Sequence, residues 1–135
     1  MSDESPPRRA LLAAEHRRLD DLFGRFLAAG TPAEAAEAIR AFDEALRSHT
    51  AFEDEHLFST RRGDKLASKE NESDRERLFR ELALEHVQIR ELSGMMTRLL
   101  GEKGDLAGAR ALAGNLVRRW DAHTAREEEA LGSGA

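Results

Sequence analysis

A chain of 135 residues, 40% hydrophobic and 35% charged, is long enough to bury one core of its own and is unlike a disordered or membrane-embedded polypeptide. A formal net charge of −5 argues against a nucleic-acid partner. The arginine pairs Arg8-Arg9, Arg17-Arg18, Arg61-Arg62 and Arg118-Arg119 are scattered among acids, as on solvated helix faces. The absence of cysteine excludes disulfides, thiolate metal sites and thiol redox chemistry.

The N-terminus, Met1-Ser2-Asp3-Glu4, is acidic, and no apolar segment of signal-peptide or membrane-spanning length follows it. No membrane partner is expected, and the cytoplasm is the expected compartment. Ala, Leu, Arg and Glu dominate while Val and Ile are scarce, which favours helix. Ser5-Pro6 opens a first helix over about 6–29, ended by Gly30. Its apolar residues Leu11, Leu12, Leu19, Leu22, Phe23 and Phe26 recur at helical spacing. Thr31-Pro32-Ala33-Glu34 reads as a capping box opening a second helix over about 32–60. A polar linker over about 61–73 carries Gly63. Ser73-Asp74-Arg75-Glu76 is a second capping box, opening a third helix over about 74–100. Gly101 to Gly104 then turns the chain into a fourth helix over about 105–131. Four amphipathic helices of comparable length predict an all-α, up-down-up-down four-helix bundle in which residues 1–135 form a single domain.

Two histidine-bearing patterns each occur twice. His49-Thr50-Ala51-Phe52-Glu53-Asp54-Glu55 returns as His123-Thr124-Ala125-Arg126-Glu127-Glu128-Glu129, and Glu15-His16 returns as Glu85-His86. Each half thus contributes one lone His and one His-x-x-x-Glu, and residues four apart share a helix face. Four imidazoles and two carboxylates make a ligand set for two metal ions: His16, His49, Glu53, His86, His123 and Glu127.

The heights agree with that reading. With a rise of ~1.5 Å per residue, His16, His49 and His123 fall roughly 14, 15 and 12 Å from one end of the bundle, with His86 somewhat higher. Neighbours seven residues away share each histidine's stripe, being only about 20° off. On one side these are Phe23, Phe42, Ser93 and Leu116, an almost wholly apolar lid; on the other are Arg9, His56, Phe79 and Ala130. A site dry on one side and more polar on the other suits a small apolar guest such as dioxygen or nitric oxide. Trp120, one turn before His123, is expected beside the site or in ordinary core. His56 has no counterpart in the repeat, where Ala130 stands, and is expected behind the ligands or exposed. Mixed Glu and His ligands favour iron, with manganese and zinc as alternatives.

At Glu15-His16-Arg17-Arg18-Leu19-Asp20, His49 to Phe58, Glu85-His86 and His123 to Glu129, the chain resembles the hemerythrin-like family, also called the HHE cation-binding domain. The resemblance covers nearly the whole chain. It implies a non-haem di-iron centre in a hemerythrin-like bundle, compatible with an oxo or hydroxo bridge. Glu53 and Glu127 would bridge the ions, with His16, His49, His86 and His123 as terminal ligands. Oxygen carriers of the family space their fourth-helix carboxylate so that it would be Glu128 here; the internal repeat favours Glu127. They also place a further His where this chain has Arg90, which leaves two His per iron. Such a set looks more like members that process peroxide, nitric oxide or iron itself. Asp20, four residues after His16, is expected either to supply a further ligand or to pair with Arg90.

The expected function is therefore a di-iron protein that binds and processes a small oxidant (peroxide, dioxygen or nitric oxide), with peroxidase-, catalase- or oxidase-like activity. The alternative is a non-catalytic module for binding, sensing or storing oxygen, iron or nitric oxide. With no Tyr and no Cys to relay electrons, a reductant or a signalling partner would act in trans.

Overall fold

Helix ends set the architecture. The computed structural model describes residues 8–56 and 73–133, and the side chains of residues 13–55 and 73–130. Its helices are α1 (Arg8–Ala28), α2 (Pro32–His56), α3 (Asp74–Lys103) and α4 (Leu106–Ser133). The start expected for the first helix, the last turn expected for the second and nearly all of the linker fall outside the described residues.

Ser73 caps α3 as a full capping box. Its hydroxyl accepts from the Glu76 N–H at 3.0 Å, and the Glu76 carboxylate accepts from the Ser73 N–H at 2.9 Å. The box expected at Thr31 is built differently. The Thr31 hydroxyl accepts from the Glu34 N–H at 3.1 Å, whereas the Glu34 carboxylate reaches one residue further back, to the Gly30 N–H at 2.9 Å.

Helix α3 runs three residues past the expected end, because Gly101 stays helical and the stop lies at Gly104. There φ is 59° and ψ 28°, a left-handed conformation open to glycine without Cβ strain. The N–H groups of Gly104 and Asp105 donate back to the carbonyls of Leu100 and Leu99. Asp105 then caps α4, its carboxylate accepting from the Gly108 N–H at 2.8 Å.

Each helix packs against the one before and after it, and α1 closes on α4, giving an up-down-up-down four-helix bundle. The main core holds Leu19, Phe23, Phe26, Ile39, Phe42, Leu46, Ile89, Met96, Leu116 and Trp120. A smaller cluster, Leu82 and Ala130 with Leu78, Phe79 and Ala83 against them, lies apart from it. Among the described residues, no helix is long and apolar enough to cross a membrane.

Candidate metal centre

Six ionisable residues are buried in the bundle among the described residues: His16, His49, Glu53, His86, His123 and Glu127. Burial of so many ionisable groups is costly unless they are paired or hold a cation. They meet in two sets that share both carboxylates. His16, His49, Glu53 and Glu127 form one set, and Glu53, His86, His123 and Glu127 the other, with the donor atoms of each set within 4.8 Å of one another.

The two carboxylates lie between the sets. Glu53 Oε2 lies 2.9 Å from His49 Nε2 and 3.9 Å from His16 Nε2, while its Oε1 lies 3.1 Å from His86 Nε2. Glu127 Oε1 lies 2.7 Å from His16 Nε2, while its Oε2 lies 3.1 Å from His123 Nε2 and 3.5 Å from His86 Nε2. The rings pair in the same way, with centroids 5.3 Å apart for His16 and His49 and 4.7 Å apart for His86 and His123. The i,i+4 spacing brings His49 onto Glu53 and His123 onto Glu127 within one turn.

Sequence reasoning missed the outer layer. Each of the four inner histidines turns its other nitrogen, Nδ1, to a second carboxylate. Glu15 on α1 faces His49 on α2 at 3.3 Å, and Asp54 on α2 faces His86 on α3 at 2.7 Å. Glu85 on α3 faces His123 on α4 at 2.6 Å, and Glu128 on α4 faces His16 on α1 at 2.7 Å. Each helix thus lends a carboxylate to the histidine of the next, and the ring closes from α4 to α1. The signal was in the sequence: Glu15 and Glu85 precede His16 and His86, and Asp54 and Glu128 follow Glu53 and Glu127.

This ring fixes the imidazole tautomers. An ionised carboxylate only accepts, so each Nδ1 carries the donated proton and Nε2 faces inward. An inward Nε2 lone pair would then oppose the lone pairs of Glu53 or Glu127. A metal ion in front of these nitrogens would remove that opposition. The ring orients all four nitrogens as carboxylate–histidine–metal arrangements do. Moreover, His49 Nε2 and both oxygens of Glu53 are buried without a hydrogen bond, even where their separations are short. The donor set fits divalent metal ions.

In the metal-free cluster two of the imidazoles, His16 and His86, are held toward the protonated form. Burial alone would push the His86 imidazole down, but Asp54, Glu127 and Glu53 outweigh it and raise its pKa to about 10. His16 is raised as well, burial again being outweighed, here by Glu127 and Glu128. Glu127 moves the other way: burial would raise it, yet His123, His16 and His86 hold it well below the usual carboxylate range.

Two residues paired in the sequence expectation go separate ways. The Asp20 carboxylate accepts from Trp120 Nε1 at 2.7 Å, and Arg90 donates to the Thr50 hydroxyl at 2.9 Å and lies 3.4 Å from Asp54. Trp120 does border the site, edge-on to His16 at 5.5 Å and stacked over His123 at 6.3 Å. The lid side is dry: Phe23, Phe42 and Leu116 are buried, and buried Ser93 donates to Asp43 at 2.6 Å. On the other side Ala130 and Phe79 belong to the smaller apolar cluster with Leu82, so the polar character expected there is not found on α3 and α4. The side chains of Arg9 and His56 lie outside the described residues. Glu128 takes the outer position on His16, while Glu127 occupies the buried interior.

A four-helix bundle whose interior gathers four imidazoles around two carboxylates belongs to the cation-binding helical proteins. The family model described as the Hemerythrin HHE cation binding domain matches residues 9–133, and the chain belongs to that family. No curated protein and no solved structure matches the chain.

Proposed function

We propose that the chain is a single-domain, non-haem di-iron protein that binds and processes a small oxidant: peroxide, dioxygen or nitric oxide. One observation carries the reading. Glu53 and Glu127 each present their two oxygens to two different histidine pairs, which is what a carboxylate shared by two ions requires. His16 and His49 would hold one iron and His86 and His123 the other. Bound there, two irons would supply redox chemistry and a two-centre clamp for a small oxygen or nitrogen ligand.

The chain's own residues do the rest. The outer carboxylates orient the rings, and Phe23, Phe42, Leu116 and Trp120 keep water from one side. The compact, mostly apolar surroundings on the lid side favour a guest of two or three non-hydrogen atoms over a large substrate. The chain has no Tyr and no Cys, so electrons would come from the oxidant itself or from a reductant in trans.

The test is elemental analysis of protein purified without added metal, followed by exposure to peroxide, dioxygen and nitric oxide. Two irons per chain with turnover of one of them supports the reading. Two irons with only a stable, reversible adduct would make the protein a binding or sensing module instead. A folded bundle that takes up no metal would sink the di-iron reading.

A further inference from the structure

The six inner residues are arranged nearly alike in the two halves, but what stands behind them is not. The histidine pair on α1 and α2 is backed by Glu128 behind His16 and Glu15 behind His49. Asp20, bonded to Trp120, adds a third carboxylate on that side. Among the described residues, none of these three has an arginine or lysine partner, and Arg17 and Arg18, beside His16 in the chain, are exposed.

The histidine pair on α3 and α4 is also backed by carboxylates, Asp54 behind His86 and Glu85 behind His123. Here each meets a guanidinium. Arg90 lies 3.4 Å from Asp54, and Arg126 is ion-paired with Glu85 while its other nitrogen lies 2.9 Å from Glu81. The asymmetry is written in the repeat. Asp20 and Arg90 occupy matching positions after His16 and His86, and Phe52 and Arg126 occupy matching positions after His49 and His123.

A carboxylate that accepts from a ligating imidazole raises the basicity of that ligand. A guanidinium on the same carboxylate draws away part of that charge and adds a positive charge near the ion. Glu53 and Glu127 are shared and favour neither side. Exposure tempers the contrast, since the Glu15 side chain is 53% exposed and screened by water, whereas Glu128 is 36% exposed and Asp54 and Glu85 are 34% and 27%. The difference therefore rests chiefly on Glu128 against the two arginines.

We infer that the two metal positions are inequivalent, Arg90 and Arg126 acting as positioning residues that weaken the His86/His123 position relative to the His16/His49 position. This rests on the metal-centre reading above. A divalent ion fills the His16/His49 position first, with an affinity about tenfold or more above that of the second, the lower end of what outer partners of a ligand contribute. The same contrast makes the His16/His49 position the better host for the higher oxidation state, because excess negative charge favours the more positive ion.

The test uses the full chain, stripped of metal and titrated with Zn(II), the histidine ring signals being followed by NMR and assigned with single His→Gln variants. The expected result is that the His16 and His49 rings shift over the first equivalent and the His86 and His123 rings over the second. In the Arg90→Gln/Arg126→Gln variant the order is lost and the four rings shift together. The Arg90→Lys/Arg126→Lys variant keeps the charges and keeps the order, with circular dichroism confirming the bundle in each. Simultaneous or reversed filling in the unaltered chain overturns the inference while leaving the metal centre standing. So does an unchanged order in the glutamine variant. Failure to bind zinc at all removes the metal-centre reading and this inference together.

Discussion

Asp54 on α2 holds the ring of His86 on α3 through a 2.7 Å contact with Nδ1. The bond crosses between helices, so the direction of the His86 ring depends on a residue of the neighbouring helix, next to Glu53 in the chain. Removing that acceptor leaves the imidazole free to turn and weakens its basicity. Asp54→Ala is expected to keep the bundle folded, since Asp54 is only half-buried, while lowering metal affinity 10–100-fold. Competition against a chelator of known strength measures this, and affinity within twofold of the unaltered chain would show that the outer ring does not position the ligands.

Gly104 should matter to stability and not to metal. Its φ of 59° suits glycine, and an added Cβ would meet no neighbouring atom within 4 Å, so strain in the backbone is the whole effect. Gly104→Ala is expected to lower stability by about 1 kcal/mol, a fall of roughly 3–5 °C in Tm, with metal content unchanged. The converse holds at Gly101, which lies inside α3 with open space around it: Gly101→Ala should raise Tm slightly through helix propensity.

Much of this arrangement can be read from the chain, and the boundary between legible and illegible is physical. The i,i+4 pairs His49/Glu53 and His123/Glu127 and the duplicated Glu-His dipeptides carry period and level, and those bring the inner six together in one layer. The partners of the outer nitrogens depend on how each helix is rotated about its axis against its neighbour, which spacing along one helix does not specify. Asp20 and Arg90 show the cost: equivalent positions with opposite charges suggest a pair, yet Trp120 and Thr50 are nearer partners for them. The C-terminus of α3 went astray for a local reason, two glycines three residues apart with the left-handed conformation adopted by the second.

The lid should be structural first and chemical second. Phe42 is fully buried, with Phe23 at 5.0 Å and Trp120 at 6.4 Å between ring centroids, and it lies one stripe position from His49. Phe42→Ala is expected to lower stability by about 3–5 kcal/mol through lost burial and the cavity left behind. Phe42→Leu keeps most of the apolar volume and should cost under about 1.5 kcal/mol. If the lid keeps water from bound metal, the Leu variant retains the rate of metal loss to a chelator and the Ala variant, at a temperature where it is still folded, loses metal faster. Equal loss rates in the two would confine Phe42 to packing.

The stability of the metal-free chain and the stabilisation that metal adds should depend on pH in opposite senses. In the metal-free chain, His86 has its pKa raised from 6.5 to about 10, so its contribution is fully present below 6.5 and is lost as the pH climbs through 10. Glu127 is held below its ordinary value of 4.5, so its contribution is present above 4.5 and is lost as the pH falls. The metal-free Tm should therefore be highest between those limits and fall from pH 7 to pH 9. An ion at the inward nitrogens takes the place of protons there, so its binding strengthens as protons leave. The gain in Tm on adding Zn(II) should grow steadily from pH 5.5 to pH 9, the buffer being one that does not bind zinc. Thermal melts at a few pH values with and without zinc decide it. A metal-free Tm that rises between pH 7 and pH 9 would mean that His86 is already neutral when the site is empty, and the inner cluster would then be held together by something other than the shared protons.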